Sequence, residues 1–157
     1  MMEWIDLIRV LHVLGACVLI GTGSGIAFFM VMAHRSGDAK LIAGVGSIVV
    51  IADWVFTASA AIAQPITGLL LIHHVGWSLS DGWVWLSLVL YGVIGACWLP
   101  VVVIQMQLRD LAVEASTQNA PLPPRYHKLF RIWFALGVPA FTAIVALLWL
   151  MVVRPDF

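Results

Sequence analysis

Residues 7–30 read LIRVLHVLGACVLIGTGSGIAFFM. The run exceeds the ~20 apolar residues with which a helix crosses a hydrocarbon core, yet it holds Arg9, His12 and the glycines Gly15, Gly21, Gly23 and Gly25. Ionisable groups inside such a run are costly in lipid and turn toward a protein interior or a functional site. The role of His12 is therefore the first question the sequence poses.

The rest of the chain fits a membrane setting. Of its 157 residues, 62% are hydrophobic and 10% charged, with a mean hydropathy of +1.04; soluble domains carry roughly 25% charged residues. The net charge of zero and the lack of a basic run exclude a nucleic-acid role. Glu3 and Asp6 stand where a secretory signal carries positive charge, so the first apolar run is expected to stay as a span.

Four runs, near residues 5–32, 47–73, 83–107 and 129–152, are long enough to span. Lipid offers no partner to backbone N–H and C=O groups and no period-2 alternation is present, so helices are expected. The expected fold is an all-α, polytopic four-helix transmembrane bundle, a single domain over residues 1–157. Pro65, Pro100 and Pro139 should kink their spans, and Pro121, Pro123 and Pro124 should break the third connection. Arg35 and Lys40 fall in the first connection, and Arg109, Arg125, Lys128 and Arg131 in or beside the third. That asymmetry predicts both termini outward.

Projection at about 100° per residue gives each later span a polar stripe. The second carries Asp53, Thr57, Gln64, Thr67 and His74; the third Ser87, Tyr91, Trp98, Gln105 and Arg109; the fourth Arg131, Thr142 and Trp149. Such stripes should face inward and fix helix register. A mid-span carboxylate costs about 2.5–3.5 kcal/mol on insertion scales, so Asp53 is expected either to pair with Arg109 or Arg131 or to handle protons. Met30 and Met32 diverge on a helix and cannot chelate together, Cys17 and Cys97 read as buried inert thiols, and His34 and His127 read as solvated.

Two readings of His12 remain. In one, Gly21 and Gly25 make a small-xxx-small helix contact and His12 is an interhelical hydrogen-bonder. In the other, His12 ligates a haem iron and Arg9, one turn outward, meets a propionate. His12 should lie about 10 Å below the outer boundary, level with Thr67 and Tyr91. His74 is the candidate second ligand.

The stretches RVLHVLG, FFMVMAHRSGD, DWVFT, QPITGLLL, YGVIGACWLP and LPPRYHKLFRIWFALGVPAF resemble a bacterial family of predicted integral membrane proteins. More distantly, Arg9 and His12 of RVLHVLG, the FR and VP of FRIWFALGVPA, and the closing VVRP resemble HemJ-type protoporphyrinogen oxidases and CopD-like membrane proteins. The HemJ-type resemblance implies haem b on His12. The lysine of that family's third span has no counterpart, since the only lysines are Lys40 and Lys128, and Leu136, Gly137 and Val138 stand where an Asn-Glu pair would precede Pro139. The resemblance thus carries the haem site and not the oxidase activity.

The resulting expectation is a small haem b-binding protein of the bacterial inner membrane with an electron-transfer or oxidoreductase role. His12 and Arg9 hold the cofactor, and Tyr91 or His74 completes the pocket. A quinone, a porphyrin or a redox protein is the expected partner, and Gly21 and Gly25 the expected homodimer contact. The alternatives are CopD-like metal or small-solute transport along Asp53, Gln64, Thr67 and His74, and a non-catalytic membrane subunit.

Overall fold

The computed structural model describes residues 3–155. Among them the chain is helical with short turns and no strand. Helix α1 spans Trp4–Ser36, α2 Ala39–Ala52, α3 Ala58–Val75, α4 Gly82–Thr117 and α5 Pro124–Val153. A single π-turn, Asp53–Thr57, joins α2 to α3 without interrupting the helix, so the two form one rod from Ala39 to Val75. Counted with that rod, four helices are long and apolar enough to cross a membrane.

Local chemistry explains the ends. At the start of α1, Glu3 and Asp6 form a reciprocal capping box that satisfies amide donors otherwise left free. Gly37 at φ +70° ends α1 in the left-handed conformation, and Asp38 caps α2 by accepting from the Lys40 amide at 2.8 Å. That cap starts the second rod at Ala39, ahead of the apolar run at 47. Gly76 at φ +83° ends α3. Helix α4 continues through polar residues to Thr117, and Pro124 opens α5, where a missing amide proton costs nothing.

Pro65, Pro100 and Pro139 lie within α3, α4 and α5 without ending them. Each removes one amide donor and leaves the carbonyl four residues earlier without its helical partner. For Pro65 that carbonyl belongs to Ala61, and the Tyr91 hydroxyl of α4 donates to it.

Packing divides the molecule along its length. At the basic end, Ile26, Met30 and Ala33 of α1, Ile42, Ala43 and Val49 of α2, Leu108 and Ala112 of α4, and Tyr126, Phe130 and Trp133 of α5 form one buried cluster. Toward the termini, α1 packs on α3 and α4 packs on α5, while α3 does not run closely against α4 or α5. Tyr91 links the two pairs, and Ile8 of α1, Val84 and Ser87 of α4 and Leu150 of α5 are buried at that end. Arg154 stacks on Trp77, 4.5 Å from the ring centroid, and ties the end of α5 to the α3–α4 turn. Large apolar side chains point outward from every helix, as a lipid-facing surface requires.

Candidate functional site

His12 lies where α1 meets α3, and three α3 residues on one helical face hold it. The Gln64 amide donates to the His12 carbonyl at 2.8 Å, the Thr67 hydroxyl lies 2.8 Å from His12 Nδ1, and Gly68 lies under the imidazole. A Cβ on Gly68 would sit 3.2 Å from His12 Cε1, and one on Gly15 only 2.6 Å from Gln64 Nε2. Two glycines therefore set this close approach.

The Thr67 hydroxyl has one proton, and it donates within α3 to the Ala63 carbonyl at 2.8 Å. A carbonyl can only accept, so the tautomer that uses both contacts is the one in which His12 Nδ1–H donates to Thr67 Oγ. The lone pair then resides on Nε2, which is neither fully enclosed nor hydrogen-bonded among the described residues. The contact joins α1 to α3, as expected of an interhelical hydrogen-bonder, and it is also how metal-binding histidines are held from behind.

The other candidate residues separate from this point. Arg9 is exposed and pairs with Asp6 at 3.2 Å. Tyr91 is engaged with Ala61. His74 is exposed, edge-on to His73, and lies seven residues beyond Thr67, about 10 Å further along the helix. The structure does not bring His74 and His12 together.

A second polar cluster lies deeper. Asp53, 4% exposed, accepts from Gln105 Nε2 at 3.0 Å and from Trp98 Nε1 at 3.4 Å. Gln105, fully buried, accepts in turn from Trp133 Nε1 at 3.2 Å, which joins the two rods to α5. Asp53 does not pair with Arg109 or Arg131. Arg109 lies one turn beyond Gln105, packs over Gly46 and binds Asp110 at 2.7 Å, while Arg131 is exposed. Neutral amide and indole donors occupy the positions nearest the carboxyl.

The fourth polar stripe also differs from expectation. Thr142 and Trp149 are exposed, Thr142 bonding to the Val138 carbonyl of its own helix, and Trp133 is the α5 residue that turns inward. Its indole N–H, hidden in a residue that otherwise reads as apolar, was the available signal. Likewise His34 is not solvated: its ring stacks on Phe130 at 3.6 Å and its Nδ1 is buried. Gly21 and Gly23 have nothing within 4 Å of a would-be Cβ, and Gly25 meets only Phe29 of the same helix, so GTGSG makes no close helix contact within the protomer. Cys17 is exposed, Cys97 half-buried, and both are free. No group of three or more His, Cys, Asp or Glu side chains suited to a metal ion forms among the described residues.

Helix length, lipid-facing apolar surface and inward polar contacts together define a polytopic α-helical integral membrane protein. Residues 6–155 match the family described as Predicted integral membrane protein (DUF2269), and the chain belongs to that family. No curated protein and no solved structure matches it, and these comparisons give no support to a likeness to HemJ-type or CopD-like proteins.

Proposed function

We propose that this protein is a small haem b-binding membrane protein with an electron-transfer role. One observation carries the reading: His12 is fixed through Nδ1–H to Thr67, with its Nε2 lone pair unengaged. A haem needs such a nitrogen, room for a flat ring and a cation for its propionates. Gly68 and Gly15, which let α1 and α3 approach closely at His12, support the second requirement only at the imidazole itself. Exposed Arg9, whose pairing with Asp6 is open to solvent, supports the third.

Bound haem supplies a one-electron couple. The chain's residues orient the ligand: Thr67 fixes the imidazole, Gln64 holds the backbone beside it, and Gly68 leaves room for the ring edge between the helices. His74 and Tyr91 lend no second ligand in this arrangement. A quinone, a porphyrin or a redox protein is the proposed partner, a bacterial inner membrane with both termini outward the proposed setting, and the face carrying exposed Gly21 and half-buried Gly25 the proposed homodimer contact.

CopD-like transport along the second rod has less support. Gln64 and Thr67 spend their polar groups on holding α1, and Asp53 spends its own on Gln105 and Trp98, so the stripe binds helices together.

The test is spectroscopic. Protein purified from haem-replete cells should show a Soret band that His12→Ala abolishes and His74→Ala preserves. A colourless wild-type preparation, or a band unchanged in His12→Ala, would overturn the proposal.

A further inference from the structure

Asp53 is the only buried carboxyl among the described residues, and it lies close to the middle of the rod from Ala39 to Val75. Gln105 and Trp98 each give it one neutral hydrogen bond. Neither carries charge. The described residues form two ion pairs, Arg9–Asp6 and Arg109–Asp110, and neither involves Asp53. On the elements around it, the titratable and charged groups are remote or committed elsewhere. Helix α1 offers only Cys17 between His12 and His34; α2 has only exposed Lys40; α3 has none before His73; α4 offers Tyr91, bound to Ala61, the free thiol Cys97 next to Trp98, Arg109, bound to Asp110, and Glu114 beyond them; and α5 offers exposed Arg131, with Arg125, Tyr126, His127 and Lys128 at its start. An ionised Asp53 would be a buried charge without a counter-ion, which the interior of a membrane protein strongly disfavours.

A second, independent feature lies beside it. The Thr57 side chain, 7% exposed, is next to the Asp53 carboxyl at the other end of the π-turn, and its buried hydroxyl, which has no other partner, is placed to share a hydrogen bond with that carboxyl. Buried hydroxyls are nearly always satisfied, and the Asp53 carboxyl is the group in reach of this one. A π-turn inside a long α-helix is itself uncommon and concentrates at functional positions.

We propose that Asp53 is a membrane-embedded proton-binding site: the carboxylate takes up one proton, and the resulting O–H donates to Thr57 Oγ. A single proton removes the uncompensated charge and reverses the Asp53–Thr57 hydrogen bond so that the acid donates, while the Gln105 and Trp98 donors still find acceptor lone pairs on the acid. A metal cation suits the site poorly, because Gln105 and Trp98 turn N–H groups toward it and Gln105 Oε1 is taken by Trp133. Asp53 precedes Gln64 by eleven residues, about 16 Å along the rod, so this site is separate from His12 and does not rest on haem binding.

Infrared spectroscopy of the full chain in lipid nanodiscs at pH 7 decides it. Wild type should show one carboxylic-acid C=O band that moves down in D2O, is absent from Asp53→Asn, changes frequency in Thr57→Val, and persists in His12→Ala whether or not haem is bound. Wild type lacking any acid C=O band overturns the proposal without recourse to a variant. So does a band that Asp53→Asn leaves in place, or a carboxylate signal that responds to exchanging sodium for choline, which would make the ligand a metal cation. A band that Thr57→Val leaves unmoved overturns the assigned hydrogen bond.

Discussion

The Tyr91 hydroxyl donates to the Ala61 carbonyl, the very carbonyl that Pro65, four residues later, leaves without an amide partner. A proline that weakens α3 thereby creates the acceptor that ties α3 to α4, at a level where those helices otherwise stay apart. The bridge and the proline should be energetically coupled. Tyr91→Phe is expected to cost about 1 kcal/mol of stability, the typical worth of a membrane or buried hydrogen bond. In a Pro65→Ala background Ala61 recovers its helical partner, and the same substitution should cost less. Thermal unfolding of the four proteins in one detergent checks this; equal costs in both backgrounds would show that the two residues act independently.

The Thr67–His12 contact makes a sharper prediction about the imidazole. Thr67→Val keeps the shape of the side chain and removes the acceptor for Nδ1–H, whereas Thr67→Ser keeps the acceptor. If His12 ligates haem as proposed, Val should shift the midpoint potential or weaken retention of the cofactor by roughly 10-fold or more, since the hydrogen-bond partner of a ligating histidine is typically worth about 10–100-fold in metal affinity. Ser should stay near wild type. Redox titration of the Soret band in the three proteins separates these outcomes, and identical curves would remove Thr67 from the account.

The span count was legible because length and apolarity alone determine it: each run had to be a helix once it had to cross lipid. Helix partners were not. In a membrane both the lipid face and much of the packed face are apolar, so the pattern that orients a soluble helix is weak, and only the polar positions speak. They spoke correctly for Gln64 and Thr67, which reach α1, and for Trp98 and Gln105, which reach Asp53. They misled at Asp53, where a carboxylate was matched to arginines although neutral donors stood nearer. They misled again at His34, whose neighbours Arg35 and Ser36 suggest water while its ring packs on Phe130, 96 residues away in sequence. Nothing in DWVFT announces a π-turn.

The buried network around Gln105 should respond as a unit. Gln105→Leu fills the same space but strands two groups at once, the Trp133 N–H and one Asp53 oxygen. Each buried group left unpaired costs about 1–3 kcal/mol, so the single change should lower stability by more than 2 kcal/mol by the same scale. Combining it with Trp133→Phe, which removes one stranded donor, should recover part of the loss. Denaturant or thermal unfolding of the single and double variants measures the recovery; strictly additive losses would mean that the Gln105–Trp133 bond contributes nothing.

Glycine substitutions distinguish close helix contact from open surface. At Gly68 an added Cβ meets His12 Cε1 at 3.2 Å, and at Gly15 it meets Gln64 Nε2 at 2.6 Å, so Gly15→Ala forces the amide away from the His12 carbonyl. Overpacking of this kind costs about 1–3 kcal/mol, against a gain of roughly 0.5–1 kcal/mol from replacing a helical glycine with alanine. Gly15→Ala should therefore be net destabilising and Gly68→Ala closer to neutral, because a ring edge can yield by a few tenths of an ångström. Gly21→Ala and Gly23→Ala meet nothing within the protomer and should stabilise it. Bulkier changes at Gly21 or Gly25 probe the outside of the molecule. If that face joins two protomers, Gly21→Leu and Gly25→Leu should shift cross-linked dimer to monomer without altering the His12 site, since neither glycine touches another helix of its own chain. An unchanged cross-linking pattern in both variants would move the dimer contact off α1.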